Sequence, residues 1–168
     1  MGSTEFKKLL FKTAFCVIVC DGEIDDLEIQ ELSRIDKNTS YFNDIDLSKE
    51  LRELIISFKK TGKKVINELF EAIRKQKLDI TQELLLLEIT IRIMNSDKRV
   101  DDNEIQFLNT LRSKLDVYNE VISERFGYTP LFKQYTFDDT KTVSKLSNLT
   151  KEFNIPDIPD FKGITIKR

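Results

Sequence analysis

The sequence predicts an all-α fold of about seven helices, arranged as two pseudo-symmetric helix–acidic turn–helix units with an extended C-terminal tail. Three observations carry this. Only five glycines and three prolines stand among 168 residues, about 5% against a usual ~12%, too few for the many tight turns of an all-β fold. Apolar residues recur at three- and four-residue spacing through residue 126, the period of a helix face. An acidic stretch recurs at a constant offset of 76 residues, the mark of a duplicated unit.

The elements follow from period and punctuation. A first helix over about 4–20 carries Phe6, Leu9, Leu10, Ala14, Val17 and Ile18, and Phe11 and Phe15 widen its stripe enough to make it central. A second begins near Asp25 with Ile29, Leu32 and Ile35, and a polar loop, 36–43, follows. A third, about 47–59, shows Leu47, Leu51, Leu54, Ile55 and Phe58 on one face before Thr61-Gly62 breaks it. A fourth covers about 63–76 through Val65, Ile66, Leu69, Phe70 and Ile73. The fifth, about 81–94, is apolar without interruption from Leu84 to Leu87 and reads as a second central helix. The sixth and seventh cover about 101–115 and 117–126. These form a helical domain over residues 1–127, and a chain of 168 residues is long enough to bury roughly 68–70% of its unfolded surface without a staple.

The texture changes at residue 128. The stretch 128–168 holds all three prolines. Ile155-Pro-Asp-Ile-Pro-Asp is extended, since proline restricts the residue before it, and Gly163-Ile-Thr-Ile-Lys alternates like a short edge strand. A turn of helix is expected at most near 142–149. Phe132, Tyr135, Phe137, Phe153, Phe161, Ile164 and Ile166 are too apolar for a free linker. The tail is expected to pack on the domain or on a partner chain.

Composition excludes several functions. With 27 basic and 29 acidic residues, the chain lacks the basic excess of a nucleic-acid binder. No uncharged apolar run reaches the length of a membrane span. The amphipathic N-terminal stretch has no cleavage site, and Phe6 stands where a myristoylation motif wants Ser or Thr, so a cytoplasmic location is expected. There are no histidines, which removes Ser-His-Asp and Cys-His catalysis and imidazole-ligated metals. Cys16 and Cys20, four apart on a helix, do not make a closed zinc site and read as small buried residues.

The chemistry lies in the repeat. Residues 20–35 and 96–111 align without gaps, with identities at Asp21/Asp97, Asp25/Asp101, Asp26/Asp102, Glu28/Glu104, Ile29/Ile105, Gln30/Gln106 and Leu32/Leu108. In the shared pattern D-x-x-[IV]-D-D-x-E, Asp25 and Asp101 fall at helix N-caps and Glu28 and Glu104 three residues on, the spacing of a capping box. Ile24 and Val100 precede the caps as hydrophobic staples. Capping accounts for these residues but not for Asp21 and Asp97, which face the negative end of the preceding helix dipole. The turns are expected to gather Asp21, Asp25 and Glu28, and likewise Asp97, Asp101 and Glu104. A hard divalent cation relieves such repulsion, as does a basic neighbour such as Arg34 or Arg52. The EF-hand loop, with its terminal bidentate Glu, is missing.

Asp21-Gly22-Glu23-Ile24-Asp25-x-x-Glu28 after one apolar helix, and Asp97-x-x-Val100-Asp101-x-x-Glu104-Ile-x-Phe-Leu after another, resemble the tellurite-resistance TerB-like family over roughly residues 5–126. The resemblance implies a compact seven-helix fold and no defined enzymatic activity. It also implies roles in stress or metal-ion response through protein complexes near the membrane, and two acidic clusters for divalent cations. Residue by residue, the metal set it implies is Asp21, Asp25 and Glu28, then Asp97, Asp101 and Glu104, with Ca²⁺ or Mg²⁺ as the ion. Lys98-Arg99 stand where the family has Gly and a small or acidic residue. Those cations compete with a metal, so the first turn is expected to fill first. The alternative is a metal-independent helical scaffold whose tail binds a partner protein. Catalysis by paired carboxylates needs two of them in different environments. The turns offer no partner base or nucleophile, and no catalytic residue is assigned.

Overall fold

Two helices bury most of their side chains, and the rest of the chain is arranged to cover them. The computed structural model describes residues 3–96, 100–127 and 161. Among these it is all-helical: α1 (Thr4–Val19), α2 (Asp26–Asn38), α3 (Leu47–Thr61), α4 (Lys64–Lys75), α5 (Ile80–Met94), α6 (Asp102–Ser113) and α7 (Asn119–Phe126). α1 buries residues around its whole circumference, from Phe6 and Leu9 to Val19. α5 buries every residue from Leu85 to Met94 except Glu88 and Arg92, which share one face. A helix hydrophobic all round belongs in a core, and α1 and α5 make the most extensive helix–helix contact in the bundle. α2, α3 and α4 also meet α1, while α2 and α6 meet α5. α3 and α4 pack on each other. No described helix is long and apolar enough to cross a membrane.

Acidic caps start most helices. Asp46 accepts the Lys49 N–H at 3.1 Å. Asp79 accepts from Gln82 N–H at 2.8 Å while the Gln82 side chain accepts from the Asp79 N–H at 3.0 Å, a fully reciprocated capping box. α3 ends at Gly62, whose φ of 59° suits a residue without Cβ.

The stretch 36–43, expected as a polar loop, is only partly one. α2 continues to Asn38, and Phe42 is fully buried edge-on to Phe11, with ring centroids 5.5 Å apart. One aromatic thus pins the connection into the core. Beside it, the Tyr41 hydroxyl donates to Glu88 at 2.5 Å, and Arg125 pairs with the other Glu88 oxygen at 2.6 Å. Burial, followed by the Glu88 hydrogen bond, pushes Tyr41 up to about 12. This triad ties the α2–α3 connection and α7 to α5.

Glu83 is the other polar anchor. It lies buried on α5 and accepts the backbone N–H groups of Asp116 (3.0 and 3.1 Å) and Val117 (2.7 Å) in the α6–α7 connection. Arg112 completes that corner by donating to the Leu115 carbonyl and the Asn119 side chain. Of the C-terminal stretch, Phe161 is described. It is buried against Phe15 of α1 and Phe58 of α3. The expected extended run at 155–160, the turn near 142–149 and the strand-like 163–167 lie outside the described residues.

Glu83→Ala strands two backbone donors away from water and should cost about 1.5–3 kcal/mol in urea unfolding. Glu83→Gln keeps an acceptor and should cost less than half as much. Equal losses for the two variants would mean that packing, not hydrogen bonding, sets the role of Glu83.

Candidate functional site

Each central helix runs out into one of the acidic turns, and the two turns meet. After α1, the Gly22 N–H donates to the Val19 carbonyl at 3.1 Å, and Gly22 takes φ of 83°, which glycine adopts at little cost. This reverses the chain so that Asp21 Oδ1 accepts the Glu23 N–H at 2.9 Å. Asp25 then caps α2, accepting the Leu27 N–H at 2.7 Å. After α5, Asp101 caps α6, accepting the Glu104 N–H at 2.8 Å. The two caps expected from the repeat are therefore both made.

The close carboxylate group is drawn from both turns. Oxygens of Asp21, Asp101 and Glu104 all lie within 4.8 Å of one another. They line a cleft of about 480 Å³ whose apolar walls include Ile24 and Val100, the residues before the two caps. Asp25 lines the same cleft but stands outside that 4.8 Å group, with its carboxylate on the α2 N-terminus. Glu28 and Glu104, equivalent in the repeat, are both buried, at 1% and 2% exposure. Asp97, with Lys98 and Arg99, lies outside the described residues. Asp101 and Glu104 come from the second turn and Asp21 from the first. What brings Asp21 to Asp101 is the packing of α1 on α5, which residue spacing does not encode.

The electrostatics follow from crowding. Burial raises the Asp21 carboxyl to about 6. The Glu23 backbone N–H opposes that rise, and the hydrogen bond and charge of Asp101 add to it. Near these carboxylates lies Cys20, expected from the sequence as a small buried residue and found as one. It is fully buried and donates to the Val17 carbonyl at 3.1 Å. Burial drives its thiol well above the ordinary range, and the charges of Glu104, Asp21, Asp101 and Glu28 push the same way. Cys16, one turn back, rises to about 12 for want of solvent. Neither sulfur is a ready thiolate ligand or nucleophile at neutral pH. What the cleft presents is carboxylate oxygen. A calcium ion sits about 2.3–2.6 Å from its oxygens, so ligand atoms up to about 5 Å apart can share one ion. The 4.8 Å limit on this set satisfies that condition.

The chain matches no protein-family model, no curated protein and no solved structure with which it was compared.

Two predictions follow from this geometry. A carboxyl raised in the folded state binds its proton more tightly there than in the unfolded chain, so stability falls as pH climbs from about 4 to about 6 and stays reduced above that. Asp21→Asn keeps the acceptor for Glu23 but removes the charge. It should raise the melting temperature at pH 7.5, with the gain shrinking to nothing as pH falls toward 4; a gain independent of pH would refute this. Asp25→Ala should cost about 0.5–2 kcal/mol in urea unfolding, as a lost cap.

Proposed function

We propose that the chain is a non-enzymatic TerB-like module that holds one divalent cation, Ca²⁺ or Mg²⁺, between its two acidic turns. In this reading it works in a stress or metal-ion (tellurite-type) response by assembling protein complexes, including membrane-associated ones, in the cytoplasm. The observation that carries it is the convergence of Asp21, Asp101 and Glu104 from segments some eighty residues apart. Three oxygens of one charge in a half-buried cleft repel one another, and a hard dication is the partner that matches their chemistry. The repeat and its position after two apolar helices support the family reading. The sealed thiols and the lack of histidine support a binding role over a catalytic one.

A second reading has its own support. Asp101 is already engaged as a helix cap, and below about pH 6 a proton on Asp21 relieves part of the repulsion. On that reading the protein is a metal-independent helical scaffold that meets its partner through the C-terminal tail.

Calorimetric titration with Ca²⁺ and with Mg²⁺ at pH 7.5 separates the two. The cation module should bind one ion, more weakly below pH 6, and lose binding in Asp21→Asn and Glu104→Gln while keeping it in Asp25→Ala. At a hundred times the dissociation constant the ion should add about 2.7 kcal/mol of stability. No heat and no shift in melting temperature at millimolar ion would leave the scaffold reading.

A further inference from the structure

The burial of Phe161 is not used by the acidic cleft, and it defines a site of its own. Phe15 on α1 and Phe58 on α3 stand edge-on with centroids 6.1 Å apart. The Phe161 ring fills the angle between them, stacked on Phe15 at 6.0 Å and edge-on to Phe58 at 5.6 Å. Lys59 lies over the same ring, its ammonium 5.9 Å from the centroid. All three rings touch pairwise, and the third is 6% exposed. Offset-stacked and edge-to-face pairs at these separations are the favoured aromatic geometries, and the ammonium adds a cation–π contact on top.

The origin of the third ring sets it apart. Phe15 and Phe58 belong to the packed helices, whereas Phe161 follows the end of α7 by the whole stretch 127–160. Its sequence neighbours are Asp160 and Lys162. A ring flanked in sequence by two charges is an aromatic carried on a charged peptide segment. Without a ring, Phe15 and Phe58 would border an apolar hollow that water does not fill. The pocket therefore calls for an aromatic occupant, and the chain supplies one.

We propose that the aromatic pocket between α1 and α3 is a recognition site for a phenylalanine carried on a charged peptide segment, filled in cis by the chain's own Phe161. A covalently joined occupant competes at an effective concentration set by the intervening chain, whatever the protein concentration. A segment from another protein that carries the same side chain enters by displacing it. The inference stands apart from the cation reading, since neither its residues nor its test involves the acidic turns.

The test uses the full chain and a fluorescent peptide of residues 155–168, followed by anisotropy. The peptide should bind the Phe161→Ala chain at least tenfold more tightly than the wild type, and the same peptide carrying Phe161→Ala should bind neither. Equal affinity for both chains, or none for Phe161→Ala, would overturn the site. Should that variant lose its fold, the intact chain with 4-fluorophenylalanine placed at position 161 alone gives the answer. Excess peptide should move its ¹⁹F resonance to the solvent-exposed position, and a resonance unmoved at millimolar peptide overturns the proposal. A wild-type dimer abolished by Phe161→Ala would put the ring in a second copy's pocket and overturn the assignment in cis.

Discussion

The packing of α1 against α5 is the constraint on which everything else depends. Each helix buries most of its side chains, so each needs neighbours around most of its circumference. Making one the neighbour of the other satisfies part of that need twice over. α2, α3 and α4 then cover α1, and α2 and α6 cover α5. Burial of Val, Leu, Ile or Phe contributes roughly 1.5–3 kcal/mol for each fully buried side chain, and these two helices supply much of the aliphatic core.

That arrangement also determines where charge is crowded. The acidic turns are the exits of the two central helices, so placing the helices together places the exits together. Asp25 and Asp101 are stabilised there, each receiving a helix N-terminal amide. Asp21 has one amide for compensation and otherwise meets burial and Asp101. The result is one face of the bundle where local capping is favourable and the sum of the charges is not. Elsewhere acidic groups are neutralised within the fold, as with Glu88 between Tyr41 and Arg125, and Glu31 between Arg34 and Arg92.

Much of this was legible in the residues. The helices followed from apolar period, and the caps at Asp25 and Asp101 from carboxylates placed before an apolar run. Those are local properties, fixed within a turn or two of chain. The grouping of Asp21 with Asp101 and Glu104 was not legible, because it depends on which helix packs on which. Phe42 was hidden by its polar neighbours: a loop needs only one buried ring to be anchored. Glu83 was hidden by the opposite circumstance, an acid in a run of leucines whose partners are backbone amides thirty residues away, which no side-chain pattern records. The Asp79–Gln82 box has a readable spacing, Asp followed three residues later by Gln at the start of an apolar run. The apolar content of the C-terminal stretch was plain, but which of its rings would meet Phe15 and Phe58 was not.

The two cysteines acquire a different meaning from their place on α1. Both are sealed in the centre of the bundle and held as neutral thiols by burial, Cys20 also by four surrounding carboxylates. A thiol reagent reaches neither while α1 keeps its neighbours, and the reacting species, the thiolate, is suppressed as well. Alkylation therefore proceeds by way of conformations in which the central helix has come away from the core. The chain carries an internal clock for its own opening, readable by mass without any added label.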